Sequence, residues 1–464
     1  MIAGVAASPA SSGPALAEPG RTRTGLLLGA ALSPIALGVS TTAIALPAIS
    51  AHMGLSQPQA AWILAAYLLA QSVCVSLFGR LADLRGLRLT FSAAAVLLLV
   101  GSAACAISGS FATIVAGRLL QGAGAGAITV SLFGVVGTRF SPSARPKVLG
   151  AMTALVGIVS GSGTLIGGVV TDAVSWRAVV ALPALAVLVV PACRALCPRT
   201  PAASGRIDGT GALLVAAITA VAVVLLESPS THPGTTLLIV LLIVGALCCT
   251  ALVRHVRRVP LGFIPLELAR DRRFIRAGLA GLSIYGVYVA MLFAVPLILT
   301  ESHGWSASRI GLVLLPAAIF GAAAAWVVGA LSTRVDPFRI TAVLAGFGVI
   351  GALVAGIGNG AAVPCIIGLA LTLSGVTGAN VSLVARVPMM AAAEVRSVAT
   401  GLFTLIFQIG GALGSAMVAG LDDPLGDPTA LACVAILPLA GVWLALSAGR
   451  VGRERDELEP ATAS

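Results

Sequence analysis

Fourteen apolar stretches run through this chain of 464 residues, at about 25–50, 59–79, 89–108, 111–136, 148–171, 177–196, 209–227, 235–253, 274–299, 309–332, 338–358, 362–385, 397–420 and 429–449. A helix needs about 20 apolar residues to cross a bilayer. Inside lipid its backbone polar groups must bond within the segment, which favours helices. The stretches are too long for strands and show no period-two alternation. Only 10% of the residues are charged, against about a quarter in soluble domains, and mean hydropathy is +1.05. An ordinary soluble enzyme, a disordered chain and a nucleic-acid binder are therefore excluded, despite a net charge of +11. The fold expected is an all-α polytopic membrane protein.

Basic residues orient it, because cytoplasmic loops are enriched in Lys and Arg. With the N-terminus inside, 25 of the 28 basic residues fall in cytoplasmic segments, Arg177 and Arg309 fall outside, and Arg118 stays within a span. Adding or removing one span would invert every later loop. An even number follows, with both termini in the cytoplasm of a bacterial plasma membrane; twelve spans remain an alternative if 209–253 does not cross twice. Gly79 and Gly329 each open a similar segment at the cytoplasmic end of an even-numbered span, and residues 79 and 329 lie 250 apart. The repeat predicts a cytoplasmic tail at 1–24, a six-helix bundle at 25–200, a two-helix insert at 201–258, a second six-helix bundle at 259–450 and a tail at 451–464. Parallel halves of this kind suit rocking transporters.

Chemistry is sparse. The eight Cys lie in apolar stretches and form no CxxC, and the four His (52, 232, 255, 303) sit in loops or at span ends. No catalytic group, metal site or cofactor is expected. No Walker A pattern is present, which disfavours ATP as the drive within this chain.

Three motifs fall in spans two, four and five. Gly79-Arg80-Leu81-Ala82-Asp83-Leu84-Arg85-Gly86-Leu87-Arg88 resembles the loop between spans two and three of the major facilitator superfamily. The resemblance implies a conformational latch using Gly79, Asp83, Gly86 and Arg88, with the start of span thirteen, about 396–400, as partner. Leu84 and Leu87 stand where the family usually has Arg. Arg118-Leu119-Leu120-Gln121-Gly122 resembles the RxxqG motif. Arg at membrane depth costs about 2.5–3.5 kcal/mol on insertion scales, so it normally meets a cavity or a partner. In the family this Arg is linked to proton coupling, which implies that role for Arg118 with Gln121; the alternative is a structural Arg bonded to carbonyls. Gly150, Gly163, Thr164, Gly167 and Gly168 resemble the antiporter motif, with Thr164 in place of the family proline.

Trp62 to Tyr67, Leu46-Pro47, Ser175-Trp176-Arg177, Asp208 to Gly211 and Gln408 to Gly414 are similar to patterns of the fourteen-span drug:proton antiporter branch. The resemblance covers about 25–450. It implies a small-molecule efflux transporter working by alternating access, with protons as coupling ion, the lipid bilayer as surroundings and a monomeric state. One departure bears on coupling: Gly38 occupies the position that is commonly acidic in span one, and all 17 acidic residues fall in loops, tails or span ends. A facilitator or importer of the same fold is thus the alternative. Polar and amphipathic residues in oily helices nominate a substrate pocket: Ser40, Thr41, Thr42, Trp62, Tyr67, Gln71, Tyr285, Tyr288 and Gln408, with Met291 and Phe293 as wall. A Ser or Thr hydroxyl bonded to its own helix is the competing reading.

Overall fold

A computed structural model describes residues 20–141, 144–197, 208–231, 234–260, 262–331, 334–386, 390 and 396–462. Among these, every regular element is helical. The first half holds α1 (Arg21–Met53), α2 (Gln57–Arg85), α3 (Leu87–Ala106), α4 (Phe111–Arg139), α5 (Arg145–Gly161), α6 (Gly163–Ala173), α7 (Trp176–Ala181), a 3-10 stretch at Leu182–Val189 and α8 (Val190–Leu196). Next come α9 (Gly209–Thr231), α10 (Thr235–Arg258) and the short α11 (Leu266–Arg270). The rest is α12 (Arg272–His303), α13 (Ala307–Leu331), α14 (Pro337–Ile357), α15 (Ala362–Arg386), α16 (Arg396–Leu425), α17 (Asp427–Val434) and α18 (Ile436–Thr462).

Thirteen helical segments among the described residues are long and apolar enough to cross a membrane, and the bent pair α5–α6 makes a fourteenth. That pair bends by 45° at Gly161-Ser162 without a proline. Ser162 Oγ turns back to the carbonyls of Ile158 and Val159, and Gly/Ser pairs are recognised kink sites. With fourteen crossings both ends of the chain share one side, here the termini face. The far face carries the turns at 54–56, 107–110, 174–175 and 304–306. There Arg177 Nη2 donates to the Ser108 carbonyl at 3.2 Å, and the rings of His52 and Trp176 lie 5.6 Å apart.

Packing repeats along the chain. In the first half α2 packs on α4, α4 on α3 and α1 on α5; in the second, α13 packs on α15, α15 on α14 and α12 on α16. Between halves, α2 meets α16, α6 meets α13 and α1 meets α12, the pairings that a twofold exchange of the halves would generate. The offset recurs in the backbone: α1 and α12 both end on left-handed glycines, Gly54 (φ 63°) and Gly304 (φ 62°), again 250 apart. The insert is peripheral. Helix α9 lies on α2 and α16, while α10 packs on α9. Asp208 pins it on the termini face, accepting hydrogen bonds from the Gly211 and Phe263 amides and pairing with His255 at 2.7 Å. Burial pushes the Asp208 carboxyl up, yet those three partners outweigh it and hold the group below its ordinary value.

The hydrophobic core is continuous across the halves on the far face, where Ala43–Ile49 of α1 and Trp176 of α7 share one cluster with Met291–Leu299 of α12, Ile310 of α13 and Val418 of α16. Two further clusters also straddle the halves: one joins Leu28, Phe91, Leu132 and Val148 to Val289 of α12 and to Ala412 and Ala416 of α16, and the other joins Phe274, Phe338, Leu383 and Phe403 to Leu69 and Val73 of α2.

Small residues make the closest crossings. A Cβ on Gly410 would collide with the Leu282 carbonyl, and one on Gly414 with the Gly286 carbonyl. Gly414→Val should therefore lower the thermal midpoint of the purified protein in detergent, by the equivalent of about 1–3 kcal/mol. Gly150→Val, at a site with nothing within 4 Å, should leave it unchanged.

Candidate functional site

Glycines bring α4 into backbone contact with its neighbours. Gly122 and Gly126 lie on the Tyr67 and Gln71 carbonyls of α2, while Gly117 and Gly124 lie on α3. Such close approach leaves Arg118 and Gln121 no exposure. The Arg118 guanidinium is satisfied by carbonyls and a ring. Nε donates to the Ile63 carbonyl at 3.0 Å, Nη1 to Gln121 Oε1 at 2.6 Å and Nη2 to the Gly38 carbonyl at 3.2 Å. Its carbon lies 4.2 Å from the centroid of the Tyr67 ring, a cation–π arrangement. Gln121 Nε2 donates onward to Ser102 Oγ and the Val180 carbonyl, both at 2.8 Å. Tyr67 Oη donates to the Ile35 carbonyl at 3.2 Å. One knot thus ties α1, α2, α3, α4 and α7 together.

Gly38 explains how the knot dispenses with an acid. A Cβ there would lie 3.1 Å from Tyr67 Oη and 3.2 Å from Pro183 Cγ, so a side chain would crowd both. The Gly38 carbonyl instead serves Arg118 and also accepts from Thr42 Oγ1 at 2.8 Å. Acidic residues of the spanning helices occupy end turns, as Asp83, Asp172, Glu301 and Asp422 do.

The nominated pocket residues divide into three groups. Ser40 and Thr41 donate to the Leu37 carbonyl and Thr42 to that of Gly38, so these hydroxyls are engaged within α1. Tyr67 is buried in the knot, Trp62 packs against the core of the first half, and Gln71 is half-buried. Tyr285 and Tyr288 gather at the centre, and Gln408 follows Phe407 on α16. The Tyr285 ring stacks on Phe407 at 4.6 Å and approaches Tyr288 at 6.1 Å. Tyr288 packs against all three large core clusters, so it stands where they meet. Gln408 Oε1 is buried with no hydrogen-bond partner. Phe403 and Phe407 were missed by sequence reasoning, although their i, i+4 spacing on an oily helix was a usable signal. Met291 and Phe293 lie inside the far-face core rather than on a wall.

The antiporter-motif glycines divide between two partners. Gly163 and Gly167 abut Ser40 and Thr41 of α1; Gly168 meets the Ala307 carbonyl of α13, and Gly311 of α13 meets the Thr164 carbonyl. Thr164 Oγ1 donates to the Gly311 carbonyl at 3.4 Å. Gly150 faces open space, which confines the expected packing role to the other three glycines. Asp172 was not nominated, yet its Oδ2 accepts from the Ser308 amide at 2.7 Å, capping α13 from the opposite half.

In the latch segment Gly86, with φ 85°, makes the abrupt turn from α2 to α3, and Gly79 lies against Val130 of α4. Leu84 and Leu87 are buried, and Leu87 fills the space beside Gly134. Apolar packing thus replaces the pairing expected of Arg at these places. Arg88 has a buried Nε without a partner. The side chains of Asp83 and of residues 396–398 and 400 lie outside what the structure describes, so the expected latch contact is not among the described residues.

The family model of the Major Facilitator Superfamily matches residues 26–415. The chain belongs to this superfamily. Multidrug resistance protein 3 of Bacillus subtilis is 27% identical over 314 residues, covering 67% of this chain and 61% of that protein. The Mycobacterium tuberculosis multidrug resistance protein Stp is 28% identical over 66% of this chain and 58% of its own length. The riboflavin transporter RibZ of Clostridioides difficile is 25% identical, with 63% of each chain covered. This superfamily member thus spans about three fifths of the length of these curated relatives. A solved bacterial homologue of the human lysosomal transporter Spinster, in an inward-facing and occupied conformation, superposes with TM-score 0.62 at 14% identity, covering 95% of this chain and 98% of that one. The chain is thus a member of this superfamily whose helices are long and apolar enough to pass a membrane 13 or 14 times.

If the knot is the main fastener of the first half, Gln121→Ala should strand a buried guanidinium N–H and cost about 1–3 kcal/mol. Ser40→Ala, which removes a bond within one helix, should change the thermal midpoint in detergent much less. Equal effects would contradict this assignment.

Proposed function

We propose that the chain exports a lipophilic or amphipathic small molecule by alternating access, with proton antiport as the drive. The observation that carries this reading is the twofold relation of the halves, which meet along α2 with α16 and along α6 with α13. Rigid halves related in this way can alternate access by rocking about a shared site. In this reading the halves are 25–200 and 259–450, with 201–258 as the insert, and the termini face is cytoplasmic in a bacterial plasma membrane because it carries the basic loops. Substrate entering from that side meets Tyr285, Tyr288, Phe407 and Gln408: flat apolar surfaces with one unpaired acceptor. The multidrug relatives support efflux.

Arg118 and Gln121 act in this scheme by holding the first half rigid, with no proton of their own to pass. Arg does not deprotonate in the physiological range. The carboxylate that touches the moving seam is Asp172, whose protonation would weaken its cap on α13. One charge crossing 100 mV supplies about 2.3 kcal/mol. A facilitator of the same fold is the second reading, favoured by the lack of a mid-span carboxylate among the described residues.

Everted vesicles carrying a pH-sensitive dye separate the two. Host cells expressing the chain are first screened for resistance against an antibiotic panel and for reduced ethidium accumulation. Adding a compound so identified should release protons from energised vesicles, and Asp172→Asn should abolish that release while leaving equilibration of the compound. Transport without proton movement in the wild type would favour the facilitator.

A further inference from the structure

On the termini face, where α14 begins and the last span ends, a cavity of about 210 Å³ is lined by Asp336, Phe338, Arg339, Leu446, Gly449 and Arg450. Its charges are mixed. Asp336 caps α14, with Oδ1 accepting from the Phe338 amide at 2.8 Å. Its Oδ2 lies on the side of Gly449, where a Cβ would stand 3.5 Å from it, and no side chain at 449 competes for that oxygen. Arg339 and Arg450 are exposed at the rim.

Both arginines head apolar stripes. On α14, Arg339, Val343, Gly346 and Ile350 follow one another at steps of four, three and four; on α18, Arg450, Leu446, Trp443 and Leu439 do the same in reverse. Residues at such spacing share one helix face. The five large apolar side chains of the two stripes are between 44% and 66% exposed. The helices pack together, with Gly449 against Phe338 near the cavity and Pro438 against Gly348 farther along. The surface is thus a charged socket at one membrane boundary above an oily track that runs into the bilayer.

We propose that this groove holds a phospholipid whose headgroup carries both a phosphodiester and a primary ammonium, as phosphatidylethanolamine does. The two guanidinium groups take the phosphate oxygens, for which their planar donor forks are suited. Asp336 Oδ2 takes an ammonium N–H, and the acyl chains lie along the α14 and α18 stripes. A methylated choline headgroup has no N–H to donate, and a glycerol headgroup offers Asp336 only neutral O–H donors, weaker than an ammonium N–H. The site is independent of transport and of which face is cytoplasmic.

Native mass spectrometry of the full-length protein, released from detergent doped with equal amounts of phosphatidylethanolamine, phosphatidylglycerol and phosphatidylcholine, tests this. The wild type should retain one phosphatidylethanolamine at least about tenfold over phosphatidylcholine, a preference within reach of one charge-assisted contact. Arg339→Ala with Arg450→Ala should reduce retention to the phosphatidylcholine level. Asp336→Asn keeps a good helix cap but should lift phosphatidylglycerol to or above phosphatidylethanolamine. Equal retention of all three lipids by the wild type would overturn the proposal. So would unchanged retention in the double variant, an unchanged preference in Asp336→Asn, or displacement of the lipid by millimolar inorganic phosphate, which would assign the socket to the free anion.

Discussion

Backbone-to-backbone contact at glycine is the interaction on which the fold depends. In lipid, apolar side chains are as well solvated by acyl chains as by one another, so burying them gives helices little reason to associate. Close approach does, because it gathers dispersion contacts that lipid cannot supply. The chain uses its 54 glycines accordingly. Gly410 and Gly414 seat α16 on α12, Gly122 and Gly126 seat α4 on α2, and Gly168 with Gly311 seat the two halves on each other. These crossings set which side chains are sealed from water and which line the seam.

Rigidity and movement are divided by the same device. Within the first half the Arg118 knot adds directional bonds to the glycine contacts, and its partners are main-chain carbonyls whose positions are fixed by the helices. Across the halves on the far face, Asp172 accepts from the Ser308 amide and Thr164 donates to the Gly311 carbonyl at a long 3.4 Å. In the proposed scheme this seam of small residues parts, whereas the five helices joined through one guanidinium stay together. The 45° break in the fifth span lies beside this seam and directs α6 toward α13.

Much of this was legible in the sequence, because spanning helices are encoded in run length rather than in tertiary detail. The fourteen crossings, the 250-residue repeat and the small-residue character of span five could be read from composition and spacing. Partners could not. Arg118 is conspicuous as the one basic residue inside a span, but its acceptors are carbonyls, which every residue carries, so no sequence signal marks Ile63 or Val180. For Ser40, Thr41 and Thr42, polar in an oily helix, the sequence leaves both ligand contact and bonding to their own helix open; in the fold, i to i−3 and i−4 bonds engage them. Asp172 looks like an ordinary loop-end acid until α13 is brought beside it. The bend at Ser162 needs no proline, since serine back-bonding beside a glycine loosens the helix ladder equally well.

The central claim is that the two seams open in turn. Pulsed electron–electron resonance on a variant lacking the eight native cysteines measures this directly, with one spin-label pair at Ala173→Cys and Arg309→Cys on the far face and another at Gly150→Cys and Leu331→Cys on the termini face. Across changes of pH and on addition of a transported compound, the far-face distance should lengthen as the termini-face distance shortens. Distances that move together, or a single unchanging distribution at both seams, would contradict the account.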